Sequence, residues 1–238
     1  MACSGTGGDK YRDYLSEDEV KNTKWRSGPP SYDVVDKLFE EGRTHVWPEG
    51  SLEEKVQRLM KTWEMELVHK ADPNDYKTLD PTKFRLFVNG RKGLSLEETA
   101  KIGGSYNVFL QTSLPEKYRV FNPEDETFVS SQAVFRNAFP RGFAIEILQV
   151  YSGPPRITYR FRHWGYMDGP FKGHPPTGEI TEFFGMGTFE LDEESNKIVK
   201  SELFFDRGEL LGALVKGGSS DEAATSEAPS ACPFMKGA

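Results

Sequence analysis

The stretch from Phe139 to Leu214 constrains this chain more than any other. It sets four strand-like runs in close succession: Phe143–Tyr151, Ile157–Tyr166, Ile180–Leu191 and Ile198–Asp206. They are separated by Ser152-Gly153-Pro154-Pro155, by a Gly- and Pro-rich loop over 167–178, and by a polar Asp-Glu-Glu-Ser-Asn turn at 192–196. Short turns of this kind join antiparallel neighbours, because a parallel crossover needs a dozen or more residues. The runs hold ten aromatics between Tyr159 and Phe205. A twisted sheet so rich in aromatics must be covered on its concave face or enclose a space there.

The first half supplies helices. Asp33–Glu41 sets Val34, Val35, Leu38 and Phe39 at helical spacing before Gly42. Ser51-Leu52-Glu53-Glu54 reads as a capping box, followed by Val56, Met60, Trp63 and Leu67 on one stripe. A second box, Ser95-Leu96-Glu97-Glu98, opens a run carrying Ile102, Tyr106, Phe109 and Leu110, with Gly103-Gly104 inside it. Ser131–Phe139 reads as a further helix stopped by Pro140, and Phe84–Val88 before Asn89-Gly90 as a short strand and turn. Helices first and a strand meander last is an α+β order. The expected limits are a flexible acidic segment over 1–24, one domain over 25–216, and a disordered tail over 217–238, rich in small, polar and acidic residues. Residues 1–9 and 218–238 are expected to be open to trimming by proteases.

Charge and cysteine content exclude several function classes. The net charge is −7, and the ends hold most of it, −3 in residues 1–20 and −2 in residues 217–238. A near-neutral body with acidic ends is a poor match for nucleic acid or anionic lipid. The start of the chain has neither the basic nor the apolar region of a secretory signal, and Cys3 and Cys232 lie one in each end. Both point to a reducing, cytoplasmic setting. The four histidines show no ligand spacing, so no metal or other cofactor is expected.

Several segments carry a family resemblance: Tyr32-Asp33-Val34-Val35, Lys37–Thr44, Trp47-Pro48-Glu49-Gly50, Lys61–Glu66, Phe161–Tyr166 and Cys232-Pro233. Together with Phe135–Pro140, Gly173–Gly178 and Phe204-Phe205-Asp206, they resemble the plant pathogen-related proteins, within the SnoaL-like branch of the nuclear-transport-factor-2-like superfamily. The resemblance implies a cone-shaped curved antiparallel sheet covered by N-terminal helices. It also implies a pocket for a small apolar metabolite, terpenoid or polyketide-like, in plant defence or specialised metabolism. Two roles follow. One is accessory, assisting biosynthetic enzymes such as membrane-bound oxygenases. The other is a cofactor-free isomerase or cyclase, with Asp206 at the position of the cyclase acid/base. The cyclase histidine has no counterpart placed by these motifs. In this superfamily the sheet exterior often pairs two copies, so a homodimer or a pure interaction module is a third reading.

The residues themselves bound the candidates. A carboxylate among aromatics suits proton transfer, but Asp206 before Arg207-Gly208 also suits a cap on a following helix. His163 is a permissible proton carrier. Side chains alternate along a strand, so either Tyr159, Phe161 and His163 face the pocket, or Trp164 and Tyr166 do, with an arginine meeting Glu146 or Glu182. The expected lining is Trp63, Tyr106, Tyr159, Phe161, Trp164, Tyr166, His174, Phe183 and Phe204, with Glu64 or His69 as polar candidates on the long helix.

Overall fold

The computed structural model describes residues 9–218. Five strands form one sheet in the order β1-β5-β4-β3-β2: β1 (Arg85–Val88), β2 (Ala144–Ser152), β3 (Arg156–Tyr166), β4 (Ile180–Leu191) and β5 (Ile198–Phe205). β2 to β5 are antiparallel neighbours, as the short connections dictate. The sheet is not wholly antiparallel, because β1 lies parallel to β5. Asn89-Gly90 turns the chain back only far enough for Leu86 to bridge Leu94.

Seven helices accompany the sheet among the described residues: α1 (Glu17–Asn22), α2 (Asp33–Gly42), α3 (Leu52–His69), α4 (Leu96–Lys101), α5 (Ser105–Phe109), α6 (Phe128–Ala138) and α7 (Arg207–Val215). The Ser95 box forms with both of its hydrogen bonds. At α3 only half of the expected box forms: Ser51 accepts from the Glu54 amide, while the Glu54 carboxylate turns to Arg58. The run after Ser95 is two helices rather than one. Gly103 and Gly104 take φ of +90° and +85°, a left-handed conformation that breaks the helix and that other residues rarely adopt. α6 starts earlier than expected, at Phe128, capped by Thr127, whose hydroxyl accepts from the Ser130 amide.

α3 lies across the inner face of the sheet and also guards its edge. Gln57 donates to the Ile145 carbonyl and accepts from the Ile147 amide, and Trp47 donates to the Ile147 carbonyl. These bonds occupy the free side of β2, which would otherwise offer a row of unpaired backbone groups. The main core joins Val56, Met60 and Trp63 of α3 to Tyr159, Phe161 and Phe189 of the sheet, with Leu210 and Leu214 of α7.

A second, smaller core lies on the outer face. There Leu38 and Phe39 of α2 pack on Ala144 and Trp164. Gly42 ends α2 where a Cβ would stand 2.7 Å from the Trp164 indole nitrogen. Residues 9–24, expected as a flexible segment, pack on the body. Arg12 is buried and paired with Asp36 at 2.9 Å, and Tyr11 packs edge-on against Phe39. Backbone hydrogen bonds join Arg26 to His69 and Ala71 to Lys24. The expected tail over 217–238 lies, apart from its first two residues, outside the described residues.

Candidate functional site

The parity of β3 decides what faces inward. Tyr159, Phe161 and His163 point to the inner face under α3, and Arg160, Arg162 and Trp164 to the outer. Trp164 therefore belongs to the second core, not to a pocket. Arg162 does meet both predicted carboxylates, Glu146 at 3.1 Å and Glu182 at 2.6 Å, and its guanidinium also lies over the Trp164 ring. This network ties the end of α2 to the outer sheet, because Arg162 also donates to the Gly42 carbonyl.

The middle of the inner face is packed, not open. Trp63, Tyr159, Phe161 and Phe189 are each at most 3% exposed. The reason is a pair of inward glycines on β4. A Cβ at Gly185 would stand 2.4 Å from the Phe161 ring, and one at Gly187 would stand 2.5 Å from the Tyr159 ring. Both rings lie down across the neighbouring strand and fill the space that an aromatic-lined chamber was expected to occupy there.

Towards one end of the inner face, near α3 and α5, a row of rings continues this packing. Phe139 stacks near Phe143 at 4.5 Å between centroids, Phe143 on His163 at 4.3 Å, His163 on Phe183 at 5.5 Å, and Phe183 on Phe205 at 5.1 Å. Phe109 closes on Phe205 from α5 at 6.4 Å, and Tyr106 stacks on Phe135 at 4.0 Å. Glu64 of α3 meets this wall, with its carboxylate 3.8 Å from His163 Nε2.

The surroundings of Glu64 are unusual for a helix carboxylate. Its side chain keeps 43% of its surface accessible, yet burial by the surrounding protein is the largest influence on it. Burial works to raise its pKa, but the His163 partner and the charges of Arg12 and Lys61 outweigh it and hold the carboxyl below its ordinary value. The Glu64 charge reaches the other polar groups nearby. Burial pushes the Tyr106 phenol up, and Glu64 adds to that shift. Burial pushes His69 down, against the pull of Glu64. His163 Nδ1 is buried and has no hydrogen-bond partner among the described residues.

Of the expected site residues, the fold gathers Trp63, Tyr106, Tyr159, Phe161, His163 and Phe183 on the inner side. It sends the others elsewhere. Phe204 is 48% exposed on the outer face. Tyr166 lies under Arg141, and His174 Nδ1 is 2.9 Å from the Gly218 carbonyl oxygen. Asp206 is exposed and caps α7, accepting from the Gly208 amide at 2.7 Å. That is the capping reading of this residue. It borders a shallow outer depression of about 680 Å³ with Arg160, Phe184, Met186 and Phe204, away from Glu64. Phe109, Phe143 and Phe205 were not singled out from the sequence. Glu64 was named only as one of two options, and the signal for it is its place beside the Met60–Trp63–Leu67 stripe.

Helices over the inner face of a curved, unclosed five-stranded sheet make this an α+β protein. The chain belongs to the plant pathogen-related protein family: it is 52% identical to the pathogen-related protein of Hordeum vulgare over 241 residues, covering both chains in full. No family model matches it. Solved structures similar to it include a putative SnoaL-like polyketide cyclase from Jannaschia, 16% identical with a TM-score of 0.37 over 72% of this chain and 97% of that one. Another is an NTF2-like protein from Burkholderia thailandensis, 13% identical with a TM-score of 0.34 over 62% and 86% of the two chains.

Proposed function

We propose that this protein binds a small, largely apolar metabolite, terpenoid or polyketide-like, against the aromatic wall around Glu64 and His163. The role is accessory: it holds an intermediate for biosynthetic enzymes such as membrane-bound oxygenases, in the cytoplasm, in plant defence or specialised metabolism. The observation that carries the reading is the continuous aromatic wall from Phe139 to Phe205 beside the half-exposed Glu64 carboxylate. Sites for small molecules are mostly apolar, with few placed polar groups. The alternative of an isomerase or cyclase using Asp206 lacks a matching geometry, since that carboxylate caps a surface helix.

The test is native mass spectrometry of the protein after incubation with a plant metabolite extract. A bound apolar compound is expected, and aromatic-to-alanine changes at Phe143 and Phe183 should abolish it. If no compound is retained and hydrophobic dyes fail to bind, the reading falls. Co-expression with a membrane-bound oxygenase should raise product yield at matched enzyme levels.

A second reading, an interaction module, is favoured by the outer face of β4 and β5, where Phe184, Met186 and Phe204 are exposed together.

A further inference from the structure

The outer side of β4 and β5 holds an apolar strip bordered by arginines. Phe184, Met186 and Phe204 are each at least 37% exposed. Met186 is the cross-strand partner of both Phe204 and Arg160, so the strip meets β3 at an arginine. These side chains line the shallow depression of about 680 Å³ together with Asp206 and Arg207. The rim carboxylate, Asp206, is engaged in capping α7. Arg156 and Arg162 of β3 are paired, the first to Glu190 and the second to Glu146 and Glu182. Among the described residues Arg160 and Arg207 are in no ion pair, and Arg91 adds a further positive charge near Arg207.

The chain leaves the described body beside the start of the same strand. Lys216 pairs with Glu179 at 2.6 Å, next to Ile180 where β4 begins, and the Gly218 carbonyl lies 2.9 Å from His174 Nδ1. Phe184 and Met186 are five and seven residues on from Glu179, about 17 Å and about 23 Å along the strand. Phe234 is sixteen residues on from Gly218. Fully extended, that length reaches about 53 Å, and a linker of small residues spans about 20–24 Å on average. A tether whose average span matches the separation of its two sites gives the highest effective concentration. The sequence of the segment also suits the strip. It carries Asp221, Glu222 and Glu227 with no Lys or Arg before Lys236, and then the apolar run Cys232-Pro233-Phe234-Met235. Acidic residues thus come at the stage where the arginines must be passed, and an aromatic with a methionine comes where two phenylalanines and a methionine lie exposed. Methionine adapts to such surfaces and packs well against rings.

We propose that residues 232–235 of this chain dock on the strip formed by Phe184, Met186 and Phe204 of the same molecule, with the acidic residues of 219–227 passing Arg160 and Arg207 as a linker. The inference is independent of the ligand-binding reading. It gives the outer face a built-in occupant, so a partner that uses the strip has to displace the chain's own segment first.

Paramagnetic NMR on the full chain tests this. Cys3→Ser leaves Cys232 as the single thiol, and a nitroxide spin label is attached there. The amide signals of Phe184, Met186 and Phe204 should be lost to broadening. Phe234→Asp with Met235→Asp, both outside the folded core, should bring them back. Arg160→Glu should restore part of the intensity, and adding Asp221→Lys and Glu222→Lys to it should remove that intensity again. Full intensity at the three positions in the spin-labelled protein overturns the inference and leaves the strip to another partner. A loss that survives Phe234→Asp with Met235→Asp overturns it as well, since the apolar run is then not what docks. Broadening that passes from spin-labelled molecules to separate isotope-labelled ones assigns the strip to a second copy and equally overturns docking within one molecule.

Discussion

The hydroxyl of Tyr159 stands 2.5 Å from where a Cβ on Gly187 would be placed, although the two residues belong to different strands. Tyr159 is fully buried, so its ring cannot move aside into solvent. Gly187→Ala should therefore cost about 1–3 kcal/mol, the usual penalty for overpacking a filled core. Gly185→Ala, which would press on Phe161, should behave alike. Gly153→Ala is the control, because its nearest contact is an ordinary 3.5 Å from Leu52. Urea denaturation of the three variants decides the matter, and equal midpoints would contradict the packing described.

The same pair shows what the sequence could and could not reveal. Turn chemistry and alternation were enough for β2 to β5 and for their antiparallel order, since both are local signals. Capping residues were enough for α3 and α4. The filling of the cone was not legible, because Gly185 and Gly187 have no side chain to mark a face, and their effect appears only when Tyr159 and Phe161 come across from β3. The parity of His163 and Trp164 was open for a related reason. Arg156, Thr158, Arg160 and Arg162 mark the outer side of β3, but Trp164 breaks that polar row where α2 covers it, and His163 breaks the apolar one. Glu64 shares the long helix with His69 as a polar candidate, and only the meeting of α3 with β3 sets it beside His163.

Asp206 offers a clean separation of roles. As a cap on α7 it should tolerate Asp206→Asn, since asparagine caps equally well, while Asp206→Ala should lower stability by about 1 kcal/mol. Ligand binding should be unchanged in both. A loss of binding or turnover in Asp206→Asn, with the melting temperature intact, would restore a chemical role to this residue.

Lys61 gives the protein a specific pH profile. Burial, then the Arg12 charge, brings its pKa from 10.5 down to about 7, against the opposing pull of Asp36, Glu64 and Asp9. Between those two values the unfolded chain holds a proton that the folded protein has lost. Stability from this group therefore rises with pH across that window and is lost again as pH falls towards 7. Lys61→Met removes the titration. The native protein should gain denaturant resistance relative to this variant between about pH 7 and about pH 10, and parallel profiles would show that Lys61 is not held in this way.

The Glu66–Lys70 pair is fully buried, at 2.8 Å, and Glu66 also anchors the loop at Lys77 and Thr78. Removing one partner strands the other charge, so Glu66→Ala should cost about 3–5 kcal/mol. The double replacement Glu66→Leu with Lys70→Met should recover part of that loss. Thermal melts of the single and double variants check the order, which would be wrong if the single change proved milder than the double.

The small core around Trp164 has a consequence beyond its own stability. Through it, α2 and the segment near Arg12 occupy the outside of the sheet over β2 and β3. The chain thus covers one end of β2 and β3 on its own sheet back, while among the described residues Phe184, Met186 and Phe204 stay exposed on β4 and β5 as a landing strip, with Arg160 of β3 beside them. Anything that settles on that side, a second copy or another enzyme, meets an apolar strip edged by Arg160 and by the Asp206 corner, and is kept from the end that α2 covers.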